Sequence, residues 1–239
     1  MTTMYTANQP LFLGGAVYMW NRYSKCKYLV HMEEAQFSKF GHQSRVELIG
    51  LSEERKSMVV LPLQGRAFKR LNECYVDSTS RTIPALVKTI QGMYPRKKVA
   101  EPVVLDTVCS MLMSFTGKDV TVTEFSIPLT DYLVGLLLPE LKVLRSMDIV
   151  PVRDENPSIW VASFNKHLQC DQYIGGAVAG AEYINKQDFT DAGCEPVYQD
   201  YKMRPYSVGK GGMNTSAVVA VLDPVFRHGI EFAQELIKD

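Results

Sequence analysis

Between residues 31 and 45 the chain gathers His31, Glu33, Glu34, Gln36, Lys39, His42 and Arg45. If Lys27 to Glu33 forms a strand, His31 and Glu33 project to one face. Two consecutive carboxylates at a strand end are costly to bury unless a cation, a basic group or water meets them. They would suit a general-base pair or metal ligands. They would equally suit a solvated strand end closed by a Glu34–Lys39 pair.

Three further segments have the composition of ligand-binding turns. Gln9-Pro10-Leu11-Phe12-Leu13 runs into Gly14-Gly15, and a strand, a glycine turn and a helix start would offer backbone N–H groups to an anion. An ordinary βα turn has the same pattern. Tyr173-Ile174-Gly175-Gly176 is followed by more small residues and by Tyr183. Glycines at a strand's carboxyl end let the backbone approach a ligand, which is where open α/β sheets bind. Asp223-Pro224 suits an N-cap with proline in the first turn, and His228, one turn on, reads as a capping, core or site histidine. Lys202, Arg204 and Lys210, interleaved with Tyr201 and Tyr206, are the most basic stretch.

Other chemistries lack their signatures. There is no P-loop, GxGxxG, GxSxG, HExxH or CxxC. The five cysteines show no metal spacing and read as reduced, mostly buried thiols. Lys and Arg number 26 and Asp and Glu number 26. That balance excludes a protein that grips nucleic acid by bulk charge, yet permits a basic mouth around an acidic site. The polar start resembles no signal peptide and the apolar run Leu133 to Leu138 is too short to span a bilayer, so a soluble, cytoplasmic protein is expected.

The elements that must position these residues follow from periodicity. Strands are expected at 11–13, 27–32, 44–49, 57–63, 71–76, 120–127, 149–152, 172–175 and 195–201. Helices are expected at 16–26, 83–93, 102–115, 158–169, 181–186 and 222–237. The longest, 129–147, would carry Leu133, Leu137, Leu141 and Leu144 as a stripe, with Thr130 as N-cap and a kink at Pro139. Ser52 to Lys56 reads as a charged turn and Ser207 to Thr215 as a flexible polar loop. Alternating βα steps imply the α/β class, with a mixed sheet, Rossmann-like βα steps and flanking helices. No linker divides the chain, so residues 1–239 read as a single domain.

Taken in order, the segments resemble the WbqC-like family. The opening Gln9-Pro10 strand matches, as does a strand ending in two acids, here Glu33-Glu34-Ala35-Gln36-Phe37, with Lys39 and the downstream Arg45. The Tyr-Ile-x-Gly turn is matched by Tyr173-Ile174-Gly175-Gly176, the following Tyr-Ile by Tyr183-Ile184, and the closing Asp-x-x-Phe-x-x-Gly by Asp223, Phe226 and Gly229. The family's Asp-Asp is Glu33-Glu34 here, its Pro-Trp is Gly14-Gly15, and an Asn near the terminal His is Arg227.

The resemblance implies a cytoplasmic transferase of a bacterial or phage-infected cell. It would join an amino acid such as glycine to a phosphorylated acceptor: a nucleotide sugar or glycan in polysaccharide biosynthesis, or a DNA base in phage thymidine hypermodification. The catalytic roles would fall to Glu33, Glu34, Lys39 and Arg45, with Glu33 or Glu34 as base or divalent-cation ligand. Substrate contacts would fall to Gln9, Pro10, Gln36, His42, Tyr173, Gly175, Gly176, Tyr183 and His228. No cofactor motif is present. The competing reading is a non-catalytic module that binds nucleotide sugar or nucleic acid.

Overall fold

The computed structural model describes residues 2–38, 40–51, 56–65, 69–150, 152–176, 183–209 and 211–238. Its central sheet has five parallel strands: β1 (Met4–Asn8), β2 (Tyr28–His31), β5 (Lys142–Arg145), β6 (Gln172–Gly175) and β7 (Glu195–Tyr198), in the order β5-β2-β1-β6-β7. The register sets Asn8 beside His31 and His31 beside Arg145. The chain therefore leaves β1 first toward β2 and β5, then returns to its other side for β6 and β7. This is the doubly wound, Rossmann-like arrangement, and it confirms the α/β class. Two separate antiparallel ladders lie outside the sheet, β3 (Arg45–Leu48) with β4 (Ser57–Val60) and β8 (Tyr206–Gly209) with β9 (Gly212–Asn214).

Crossover handedness distributes the helices. A right-handed step from β1 to β2 puts α1 (Val17–Ser24) on one face, and the reversed direction from β5 through β6 to β7 puts its helices on the other. These are α5 (Ser146–Ile149), α6 (Pro157–Ser163), α7 (Asn165–Leu168) and α8 (Lys186–Asp191). The packing agrees, since α6 lies against α8. On the opposite face α1 packs on the terminal helix α10 (Ile230–Lys238). Between β4 and β5 come α2 (Thr82–Met93), α3 (Pro102–Met113) and α4 (Val122–Leu137), and α9 (Leu222–His228) precedes α10. A contiguous core runs from Tyr5 to Ile237.

Several expectations change. Leu11–Leu13 is not a strand: β1 lies upstream, and Phe12–Gly14 is a buried 3₁₀ turn. Gly14 (φ 76°) and Gly15 (φ 66°) adopt left-handed backbone there, and a Cβ would fall 2.6 Å from Leu133 and 2.7 Å from Leu11 respectively. No anion site forms on this turn, because the N–H groups of Val17 and Tyr18 already donate to the Val219 and Ala217 carbonyls. Leu71–Glu73 is also a 3₁₀ turn, and only single bridges join Tyr75 to Thr121 and Val76 to Leu63. Residues 120–127 open α4 instead of forming a strand. The reason is a capping box: the Thr121 hydroxyl accepts from the Glu124 N–H (3.3 Å) and the Glu124 carboxylate accepts from the Thr121 N–H (2.8 Å). These bonds also hold the Glu124 carboxyl below its ordinary range.

The expected helix 129–147 splits. Leu138 precedes Pro139 and is pushed out of helical backbone (φ −140°, ψ 63°), so α4 stops there and residues 142–145 become edge strand β5. Thr130 lies inside α4 and bonds the Ser126 carbonyl instead of capping. Ile149 closes the one-turn helix α5. The polar loop at 207–215 is largely the β8–β9 hairpin, and the terminal helix breaks at Gly229 (φ 97°). The charged turn at 52–55 and residues 181–182 lie outside the described residues; Ile184 and Asn185 are not helical, and Asn185 instead caps α8.

Asp223 is not the N-cap of α9; Val221 holds that position. Asp223 is fully buried and accepts from the hydroxyls of Tyr94 (2.5 Å) and Tyr206 (2.8 Å), the Ile49 N–H (3.4 Å) and Arg227 Nε (3.5 Å). Burial and the carboxylate push both phenols upward, so they keep their protons and donate. Arg227 also donates to the carbonyls of Val208 (2.9 Å) and Gly50 (2.7 Å). This network joins α2, β3, β8 and α9. Truncating Asp223 to Ala would leave a buried guanidinium and two buried phenols without their acceptor. Urea unfolding of D223A is expected to show a loss of about 3–5 kcal/mol; a loss below about 1 kcal/mol would contradict the assignment.

Candidate functional site

A cavity of about 930 Å³ opens at the carboxyl ends of β1, β6 and β7. This is the crevice where strand order reverses, the usual ligand position in an open α/β sheet. Asn8 and Gln9 enter it from the end of β1, Gly176 from the end of β6, and Gln199 and Asp200 from the end of β7. Tyr18, Met19 and Arg22 line it from α1. Gln36, Ser38, His42 and Gln43 come from the loop after β2, while Arg153 and Trp160 come from the segment between β5 and β6. The volume lies within the usual range for small-molecule sites.

Arg22 is the central group. Its side chain projects from the middle of α1 and is only 5% exposed. Its Nη2 donates to Asn8 Oδ1 (3.0 Å), and Asn8 in turn donates to the Tyr23 hydroxyl (2.7 Å). Its Nε is buried with no hydrogen-bond partner among the described residues. A Cβ on Gly176 would approach Arg22 Nη1 to 3.1 Å, so the glycine leaves the guanidinium its room. Gln199 fixes α1 from the opposite strand by donating to the Tyr18 carbonyl (2.6 Å) and to Asn21 Oδ1 (2.9 Å).

Three other lining groups also have a buried donor atom without a partner among the described residues: Gln43 Nε2, Arg153 Nε and Trp160 Nε1. All four orphaned lining atoms are N–H donors. A ligand rich in oxygen acceptors, such as a phosphate or carboxylate, fits such a wall. Among the described lining residues the charged side chains are Arg22, Arg153 and Asp200, two cations against one carboxylate. Tyr18 stands edge-on to His42 with ring centroids 5.6 Å apart. Burial raises the Tyr18 phenol against the opposing pull of Arg22, so it keeps its proton. Burial lowers the His42 pKa, which favours a neutral imidazole able to accept a proton.

Of the residues singled out in the sequence, Gln9, Gln36, His42, Gly176 and Tyr183 lie in the cavity lining. Gln9 Nε2 donates to the Gln36 carbonyl (3.4 Å). Pro10, Glu33, Glu34, Arg45, Tyr173, Gly175 and His228 do not line the cavity. Glu33 is buried and accepts from Arg145 Nη2 (2.6 Å), while its N–H donates to Ser146 Oγ (3.2 Å). Glu34 is buried with Arg70 3.9 Å away. His31 bonds Asp131 (3.0 Å). Arg45 sits over the Phe40 ring at 4.4 Å. Tyr173 packs between Tyr5 and Phe189, and burial raises its phenol. Pro10 and Gly175 are buried. His228 bonds the Ser207 carbonyl (2.8 Å) on the β8–β9 hairpin. Lys39 and Lys210 lie outside the described residues, and Arg204 pairs with Glu235 (3.2 Å).

The sequence reading missed Arg22, Arg153, Trp160, Asn8 and Gln199. One signal for Arg22 was available: it falls among Val17, Trp20 and Tyr23 in a helix whose other residues are largely buried. Among the described residues no group of three or more His, Cys, Asp or Glu is arranged to hold a metal ion. No helix among them is long and apolar enough to cross a membrane. The cysteines form no disulfides, and burial pushes the Cys26 thiol up to about 12.

Replacing Arg22 by Met removes a poorly compensated buried charge. R22M is expected to melt no lower than wild type, while its affinity for pyrophosphate falls about 10–100-fold. Gly176→Ala is expected to keep the fold and weaken pyrophosphate binding several-fold, because its methyl group displaces the guanidinium. Thermal-shift titration reads both, and undiminished binding in R22M would remove Arg22 from the site.

Comparison with curated proteins returns no match. A family model described as the WbqC-like protein family matches residues 9–235. That span begins at Gln9, immediately after β1, and includes the other four strands of the sheet. The chain belongs to the WbqC-like protein family.

Proposed function

We propose that this protein is a transferase that joins the amine of an amino acid to an acceptor carbon carrying a phosphate or pyrophosphate leaving group. The observation that carries the reading is Arg22, a buried guanidinium with an unpartnered Nε at the switch-point crevice. Family membership is compatible with a transferase.

The step needs three roles. Arg22 holds the leaving phosphate and stabilises the charge it gains as the carbon–oxygen bond breaks. His42 takes the proton that the attacking ammonium must lose before its nitrogen bonds to the carbon. Asp200, the single carboxylate among the lining residues, attracts the ammonium group before it is deprotonated. Glu33 and Glu34 then act indirectly: through Arg145, Ser146 and Arg70 they brace the turn that delivers Gln36 and His42. This differs from a base role for either glutamate and is tested with them. The acceptor is a nucleotide sugar, a glycan intermediate or a pyrophosphorylated DNA base.

Labelled glycine supplied with each class of phosphorylated acceptor should give product and stoichiometric phosphate or pyrophosphate. Product should appear only when both substrates are present. H42N should lower kcat by about 10²–10⁴-fold, whereas E33Q should act chiefly by lowering thermal stability. Because burial depresses the His42 pKa, its base form persists into mild acid. In the wild type kcat/KM should fall only as pH drops below the ordinary histidine value of about 6.5, and H42N should lose that limb. Phosphate binding without turnover on any acceptor would make the protein a non-catalytic binding module.

A further inference from the structure

The cavity is lined from both faces of the sheet. Arg22 reaches in from α1 on one face, while Arg153 and Trp160 belong to the connection between β5 and β6 on the other. The Arg153 guanidinium carbon lies over the Trp160 ring, 5.2 Å from its centroid. Trp160 is 2% exposed, and Phe164 meets it edge-on with centroids 5.6 Å apart. The indole is therefore packed edge-on, and the planar guanidinium carried over it lines the cavity, where a flat ligand can stack.

Arg153 Nε and Trp160 Nε1 are both buried without a hydrogen-bond partner among the described residues. Two neighbouring donors at a flat cationic surface call for two properties in one ligand. It must present acceptors near its plane, and it must be flat enough to lie against a guanidinium. Carbonyl oxygens and ring nitrogens of a heterocycle meet both conditions. A puckered sugar ring offers hydroxyl acceptors but no flat face. Tyr183 adds an aromatic ring to the same cavity.

We infer that the Arg153–Trp160 stack is a subsite for a planar, carbonyl-bearing heterocycle, so that the phosphorylated ligand is a nucleoside phosphate whose phosphate meets Arg22. This rests on the reading of the crevice as a phosphate site. It narrows that reading, because a glycan phosphate without a base would leave the stack unused.

Calorimetric titration with uridine 5′-monophosphate and ribose 5-phosphate separates the contributions. The wild type should bind the nucleotide at least about tenfold more tightly. R153A should abolish that advantage, costing the nucleotide more affinity than ribose 5-phosphate, and R22M should weaken both probes alike. W160F, which keeps an aromatic ring but lacks the N–H, should lower the nucleotide advantage without affecting ribose 5-phosphate. Circular-dichroism melts check that each variant is folded. Equal wild-type affinities, binding of neither probe, or a nucleotide advantage that survives R153A would overturn the subsite. So would an equal loss of both probes in R153A. Failure of the transferase reading is distinct: nucleotide discrimination would persist while no phosphate is released.

Discussion

The reversal of chain direction about β1 is the constraint on which the rest depends. β2 and β5 are added on one side of it and β6 and β7 on the other. Right-handed crossovers must then cover opposite faces of the sheet. The crevice is what remains. It draws backbone from strand ends and side chains from both helical layers. Its position follows from topology, whereas its chemistry follows from the residues that topology delivers there.

That chemistry is set against a cost. A guanidinium as buried as Arg22 loses much of its hydration, and the side-chain acceptor described for it is Asn8 Oδ1. The remaining unmet capacity is what an anionic ligand can use. The scaffold holds the arrangement through bonds both at the cavity wall and beyond it. Gln199 ties the end of β7 to α1, and the buried Asp223 network ties α2, β3, β8 and α9 together. In this chain the closing Asp-x-x-Phe-x-x-Gly motif is structural. Asp223 collects phenols and Arg227, Phe226 packs on Tyr94 with centroids 5.0 Å apart, and Gly229 breaks the helix. Arg227, which departs from the family's Asn, belongs to that network and not to the cavity lining.

Much of the fold was legible locally. Helix α1, strands β2, β3, β4 and β6 and helices α2 and α3 fall where hydrophobic periodicity sets them. The failures have physical causes. Val120, Val122, Phe125 and Ile127 imitate a strand's alternation, yet the reciprocal Thr121–Glu124 bonds make the segment helical. Leu133, Leu137, Leu141 and Leu144 continue a helical stripe across a proline that the backbone cannot follow. Asp223-Pro224 has the composition of a helix cap, but burial gives the carboxylate better partners than its own helix offers.

The site was only partly legible, for a related reason. Gln9, Gln36, His42, Gly176 and Tyr183 stood out because polar or glycine residues at strand ends are conspicuous. Arg22 and Trp160 were hidden inside helices, and Arg153 in a connection without pattern. The sequence by itself determined the α/β class, the βα steps and the family, since these depend on short-range periodicity and on ordered motifs. Tertiary structure alone decided which side chains meet. Residues 8, 22, 153, 160 and 199 are brought to one cavity by strand order and crossover handedness. Those are long-range properties, and neither leaves a trace in the local spacing of residues.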